Sequence, residues 1–199
     1  FEETDPGFFM GVGGSLLDDF IYIDIHDHET SEYRLIPTSD LLAEPKLVAE
    51  REEGIEYAMT EGGDVFYILT NDGDAKDFKI VEAPASAPTK ENWKEIVPHQ
   101  PGRLIISHMA YARHLIWLQR KDGLPQIVIR DRQSGEEHAI AFDEEAYSLG
   151  LSGAAEYETD TIRFSYSSMT TPTQLFDYNM VTRERTLLKT QEVPSGHNP

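Results

Sequence analysis

Asp24, His26 and His28 are the side chains of this 199-residue chain that come nearest to a metal site by type and spacing. They alternate within Asp24-Ile25-His26-Asp27-His28-Glu29, and alternate residues of a strand share one face. Zinc needs three or four such ligands converging at about 2 Å. The stretch runs on into Asp27-His28-Glu29-Thr30-Ser31, a turn-rich sequence. A polar hairpin end accounts for that without a metal, and no metal ligand is assigned. A nucleophilic serine of the hydrolase type needs a Gly-x-Ser-x-Gly elbow, whose strained turn exposes the hydroxyl. None occurs. Gly13-Gly14-Ser15-Leu16-Leu17 comes nearest, but it lacks the trailing glycine and falls in a predicted hairpin. Ser15 is not assigned as a nucleophile, and no catalytic or cofactor-binding residue is assigned elsewhere.

Three further features carry charge or polarity where strands are expected. His108, in Ile106-Ser107-His108-Met109, is expected to be a buried, hydrogen-bonded histidine. Arg163 interrupts an apolar strand, so it needs an acidic partner or an open face; contact with another domain is a further alternative. Arg120, Lys121, Arg130 and Arg132 are expected to form surface ion pairs. Asp18, Asp19, Asp72, Asp74, Glu144 and Glu145 fall on predicted loop ends. They form either a solvated rim or a salt-sensitive bias toward basic peptides.

The elements that must position these residues repeat four times. Small-residue corners at Gly7, Gly54, Gly102 and Ala146 are 47, 48 and 44 residues apart. Each corner is followed by an apolar strand, a second strand with a central aromatic (Tyr22, Tyr67, Trp117, Phe164), a third strand and a polar turn. Those aromatics are read as inter-blade packing at one repeat position. A period of about 40–50 residues made only of strands is the signature of β-propeller blades. The predicted strands are 8–12, 20–25, 32–36 and 46–50; then 55–59, 65–70, 77–81 and 93–97; then 104–108, 115–119, 126–130 and 137–141; then 147–151, 162–166, 173–178 and 185–189. Only 39–42 has the makings of a helical turn, and 83–88 reads as a rigid surface loop. The fold class is therefore all-β: a β-propeller of four four-stranded antiparallel blades, at 7–53, 54–101, 102–145 and 146–191. Residues 1–6 are expected to be the end of a preceding blade, and 192–199 an exit linker.

Bulk composition limits the function classes. Thirty-six acids against seventeen bases give a net charge of −19, which repels phosphate backbones and argues against nucleic-acid binding. No apolar run approaches the roughly 18 residues of a membrane span. Cysteine is absent, so no disulfide or thiolate site is possible, and a cytoplasmic setting is expected.

The segment Tyr166-Ser167-Ser168-Met169-Thr170-Thr171-Pro172-Thr173-Gln174-Leu175-Phe176-Asp177-Tyr178, followed by Arg183-Glu184-Arg185-Thr186-Leu187-Leu188-Lys189, resembles the last propeller blade of the oligopeptidase B group of the prolyl oligopeptidase family. His28-Glu29-Thr30-Ser31-Glu32-Tyr33-Arg34 and Leu69-Thr70-Asn71-Asp72-Gly73-Asp74 are similar to earlier blade segments of the same enzymes. The resemblance covers essentially the whole chain. It implies a parent in which a seven-bladed propeller restricts access to a hydrolase domain bearing a Ser–Asp–His triad, with cleavage of oligopeptides after Lys or Arg. It implies that this chain is the non-catalytic, substrate-gating part. A stand-alone propeller used as a protein- or ligand-binding scaffold is the alternative, since propellers host many functions. No position here matches the triad or the acidic specificity pocket.

One blade presents a flat face on the order of 400 Å², comparable to the largest apolar patch that soluble monomers expose, roughly 300–600 Å². Two uncovered terminal blades are therefore expected to drive self-association or closure into a tighter ring.

Overall fold

The computed structural model describes residues 1–194 and 196. Sixteen strands form four antiparallel sheets of four strands each, in sequential order. The first sheet comprises β1 (Phe9–Gly14), β2 (Phe20–His26), β3 (Ser31–Pro37) and β4 (Lys46–Leu47). The second comprises β5 (Tyr57–Glu61), β6 (Val65–Thr70), β7 (Lys79–Pro84) and β8 (Lys94–Val97). The third comprises β9 (Arg103–Ala110), β10 (His114–Lys121), β11 (Leu124–Asp131) and β12 (Glu137–Ala139). The fourth comprises β13 (Tyr147–Ser152), β14 (Thr161–Ser168), β15 (Gln174–Asn179) and β16 (Arg185–Thr190). The chain divides into two compact units, Phe1–Pro101 and Gly102–Pro199. Each holds two sheets.

In the first unit the two sheets pack face to face. Leu35 and Tyr33 of the first sheet meet Tyr57, Phe66, Ile68 and Val81 of the second. Tyr57 ties the unit together: its hydroxyl accepts from the Tyr33 N–H at 2.7 Å and donates to the Ala49 carbonyl at 3.1 Å. In the second unit Tyr111, Ile116, Ile127 and Ile129 of the third blade meet Ile162, Phe164, Tyr166 and Tyr178 of the fourth. The second strands show why the sequence reads as it does. In β6 every residue from Phe66 to Thr70 is buried, as expected of a strand covered on both faces. In β14 burial alternates, with Ile162, Phe164 and Tyr166 inside and Arg163 exposed. Two of the corner glycines, Gly54 and Gly102, hold φ of +79° and +80°, which a side chain would strain.

Three expectations need correction. The 39–42 segment is not helical. The Asp40 N–H donates to the Pro37 carbonyl and the Ala43 N–H to the Asp40 carbonyl, while the Asp40 carboxylate takes the Leu42 N–H at 3.2 Å. That side-chain bond gives the backbone an alternative to a helix. The helical turn is a 3-10 turn at Lys90–Asn92. Ala83 and Pro84 are not loop but the end of β7, where a missing donor is tolerated. The central aromatics Tyr22 and Phe164 do pack between blades, as expected, though in opposite directions. Tyr22 points toward the following sheet and Phe164 toward the preceding one. Residues 1–7 contain no strand, and of the expected exit linker only 192–194 and 196 lie among the described residues.

Candidate functional site

The residues predicted from sequence are dispersed. Asp24 and His26 do lie on one face of β2, with Nε2 of His26 3.9 Å from the Asp24 carboxylate. His28 lies in the turn, its ring 6.2 Å from that of Phe9. Asp27 organises the turn, its carboxylate accepting the Glu29 and Thr30 N–H groups at 2.8 and 2.7 Å. Among the described residues no group of three or more His, Asp or Glu is arranged to hold a metal. His108 is half-buried, opposite Trp117 in the β9–β10 register, rather than buried. The buried histidine of the third sheet is His114, 2% exposed. Arg163 meets both conditions set for it. It is exposed, and its guanidinium grips Asp177 on β15 through two bonds of 2.8 and 3.0 Å. Arg130 pairs with Glu137 at 2.9 Å. Arg132 also serves the backbone, donating to the carbonyls of Tyr111 and Ala112.

The acidic loop residues do not form one rim. In the first unit Asp18 and Asp19 sit in the β1–β2 turn. Asp72 and Asp74 sit in the β6–β7 turn at the other end of the sheets, where Asp72 pairs with Lys90 at 2.8 Å. In the second unit Glu144 is held by the Thr170 and Thr171 hydroxyls at 3.2 and 2.8 Å. Hydrogen bonds from Ser168, Thr171 and Tyr166 pull its carboxyl down to about 2.

Two of the cavities among the described residues are lined by titratable side chains, whereas a third of about 370 Å³ is walled by Thr, Gln, Pro and Val. One of about 340 Å³ in the second unit is lined by Arg113, His114, Asp131, Glu136, His138 and Arg183. Its charges are largely matched, Arg113 with Asp131 at 2.9 Å and Arg183 with Glu136 at 2.6 Å. His138 Nε2 lies 3.1 Å from the Tyr178 hydroxyl. Burial pushes the His114 imidazole below its ordinary 6.5, so it is neutral at physiological pH, with Asp160 3.7 Å away.

The second cavity, about 150 Å³, opens between the two sheets of the first unit. Phe20, Tyr22, Tyr33, Met59 and Phe66 wall it, and Glu61 closes one end. Glu61 ends β5 on the face toward the first sheet, which leaves it 3% exposed. One carboxylate oxygen, Oε2, accepts the Leu17 N–H at 3.3 Å. The other, Oε1, has no hydrogen-bond partner among the described residues. Burial pushes this carboxyl above its ordinary 4.5; the Ser15 hydroxyl and the Leu17 N–H oppose the shift, while Asp19 and Asp18 add to it. Ser15 thus belongs to a carboxylate's surroundings rather than to a nucleophile's, and its Oγ also accepts the Phe20 N–H at 3.0 Å. Sequence reading missed Glu61. The acid sits at the end of an inner strand in Thr60-Glu61-Gly62-Gly63, which looks like any polar turn.

The description "Prolyl oligopeptidase, N-terminal beta-propeller domain" matches residues 1–191. Dipeptidyl aminopeptidase BI of Pseudoxanthomonas mexicana is 36% identical over 98% of the chain and 27% of its own length. Protease 2 of Moraxella lacunata is 31% identical over 100% of the chain and 28% of its own. The chain therefore spans little more than a quarter of these curated relatives. Among solved structures, oligopeptidase B from Trypanosoma brucei, in a closed form with covalently bound antipain, superposes with a TM-score of 0.92 at 27% identity. Oligopeptidase B from Leishmania major gives 0.90, also at 27% identity. Each covers 100% of this chain, which covers 29% of each. With four sequential four-stranded blades and a match across 1–191, the chain belongs to the prolyl oligopeptidase N-terminal β-propeller domain family.

Proposed function

We propose that this chain is the substrate-gating, non-catalytic propeller of an oligopeptidase B-type serine endopeptidase whose intact form hydrolyses oligopeptides after Lys or Arg. The observation that carries the reading is the family match over 1–191 in a chain with no Gly-x-Ser-x-Gly elbow. The experiment compares this chain with its intact parent on an Arg-linked reporter peptide. The chain alone is expected to give no turnover. The parent is expected to cleave the peptide and to spare the same sequence inside a folded protein. Turnover by the isolated chain, or a parent indifferent to Lys and Arg, rejects the proposal. The relative named dipeptidyl aminopeptidase BI favours a second reading, a parent that releases dipeptides from free N-termini. Blocking the reporter's N-terminus separates the two, since only an endopeptidase tolerates the block. The absence of cysteine supports a cytoplasmic setting for the parent, and fractionation with a tagged parent checks it.

The two terminal faces support a narrower form of the self-association expected from sequence. The outward face of the first sheet exposes Met10 (50%) and Val12 (69%) beside Ile21 and Ile36. The outward face of the fourth presents Ser148, Gly150, Ser152, Arg163, Ser165 and Asp177 with a single half-buried apolar residue, Leu175, so it is mainly polar. Association of the isolated chain is therefore expected to run chiefly through the first sheet, the more apolar of the two faces. It is expected to stop at dimers rather than to grow into chains, because a single self-complementary patch closes on itself. Sedimentation velocity across a concentration series checks this; a monomer throughout, or open-ended polymers, counts against it.

A further inference from the structure

Glu61 is the acid of this chain that its own surroundings least explain. It is nearly wholly buried and lines a cavity, and although the Ser15 hydroxyl is near enough to favour its charged form, Oε1 has no partner of hydrogen-bond geometry among the described residues. A buried polar atom without a partner is costly, and a buried carboxylate more so. Native proteins keep such groups where a ligand or a strained site needs them.

The walls say what kind of ligand. Phe20 and Phe66 lie 5.2 Å apart, and Tyr22 and Tyr33 6.2 Å apart, tilted at 59° and 45°. Each pair is in mutual contact, and the ring surface left to the cavity is apolar and, over π faces, attractive to cations. Asp18 and Asp19, both exposed in the β1–β2 turn, add negative potential at the Glu61 carboxylate. Asp18 holds φ of +60°, so the turn that presents the pair is tight. No basic side chain lines the cavity. An anion is repelled, and a neutral apolar guest leaves Oε1 unpaired. The volume of about 150 Å³ exceeds what a single water needs, roughly 10–15 Å³ on the same measure, and suits an alkyl stem with a charged head.

We propose that the cavity between the first and second sheets binds the cationic side chain of a peptide, a lysine-type alkylammonium, with Glu61 as its counter-ion and the aromatic walls holding its methylenes. The ligand class follows from the cavity itself and does not depend on the peptidase assignment. The ammonium donates to Oε1, which satisfies that oxygen, and the charge-assisted bond is among the stronger kinds. The methylenes cover ring and Met59 surface that water otherwise meets.

The test uses this chain alone, isotopically labelled, at low ionic strength. The probe is Nα-acetyl-lysine N-methylamide, and the control is the norleucine analogue, which keeps the stem and lacks the ammonium. The Leu17 amide reports directly, since it donates to Glu61 Oε2. The lysine probe is expected to move it saturably, with a Kd on the order of 1 mM. The norleucine control is expected to bind at least about tenfold more weakly. Glu61→Gln is expected to weaken lysine binding by about tenfold or more. It is also expected to melt no lower than the parent chain at pH 7, because an amide carries no desolvated charge. An unmoved Leu17 amide, equal binding of the norleucine control, or undiminished binding by a folded Glu61→Gln variant overturns the proposal. Should Glu61→Gln fail to fold, the paired titrations of the unaltered chain still decide.

Discussion

Truncating Phe164 to alanine is expected to destabilise the second unit by about 3–5 kcal/mol, the range for emptying a fully buried aromatic site. Phe164 has no exposed surface. Its ring stacks on Phe176 at 5.3 Å and meets Phe142 edge-on at 5.7 Å. The cluster around it draws Tyr111, Ile116 and Ile129 from the third blade, so the void would open along the seam between two blades. A blade cannot cover both of its own faces, and stability in such arrays is close to a sum of nearest-neighbour terms. Loss of this seam is therefore expected to uncouple the fourth blade before the rest unfolds. Urea denaturation followed by near-ultraviolet circular dichroism, with hydrogen exchange resolved by strand, reads both effects. Protection of β14 and β15 should drop well before that of β6. Arg163→Ala, one residue away on the outward face, is expected to leave the midpoint within error, because an exposed ion pair contributes little. A Phe164→Ala variant as stable as the parent chain would mean that the seam is not what holds the fourth blade.

The propeller itself was legible in the sequence because its cause is local. Polar turns at Asn71-Asp72-Gly73 and Ser134-Gly135, together with apolar runs such as Leu115-Ile116-Trp117-Leu118, mark hairpins whatever lies around them. Strand limits drifted by about two residues: β5 was expected at 55–59 and lies at Tyr57–Glu61. A slip of two preserves which side chains face inward, so the fold survives that error. A slip of one does not, and the aromatics show it. Tyr22 lies 15 residues after its corner and Phe164 lies 18 after its own, an odd offset, and they point opposite ways, toward the next blade and the previous one. Repeat lengths of 47, 48 and 44 cannot say which of two adjacent residues faces a given neighbour. The acid that matters was illegible for a related reason. Glu61 and Asp64 both flank the glycines of one turn, but Glu61 is 3% exposed and Asp64 is exposed. Only the neighbouring sheet, placed 40-odd residues away in sequence by the Leu17 bond, makes that difference. Arg163 was legible because a charge within an apolar strand has few physical resolutions, and its own β15 neighbour supplies one.

Replacing Glu32 with alanine is expected to have the second large effect, about 2–3 kcal/mol, and to free the N-terminal segment. Breaking a fully buried ion pair costs about 3–5 kcal/mol; the guanidinium partners here keep about a quarter of their surface in solvent, which lowers the figure. The Glu32 carboxylate, 6% exposed, takes Arg34 Nε at 2.7 Å and Arg51 Nε at 3.0 Å. Those two arginines in turn hold residues 1–8 against the outward face of the first sheet. Arg34 lies 4.4 Å over the Phe1 ring, Arg51 lies 4.1 Å over Phe8, and Arg51 also pairs with Glu3. On that face Ile23 and Ile25 are buried while Met10 and Val12 are exposed, so the cover is local. Without Glu32 the arginines lose the anion that fixes them, and the aromatic contacts lose their anchor. The melting temperature is expected to fall by several degrees, at about 2–4 °C per kcal/mol for a chain of this size. Proteolysis within residues 1–8 should accelerate. The same segment is expected to loosen in acid. The hydrogen bond from Arg51 holds the Glu3 carboxyl below its ordinary 4.5, so the contribution of Glu3 is present above about 4.5 and is lost as pH falls through the lowered value. A Glu32→Ala variant with unchanged melting temperature and an equally protected segment would show that apolar contact with Ile23 and Ile25, rather than the ion network, keeps the N-terminus in place.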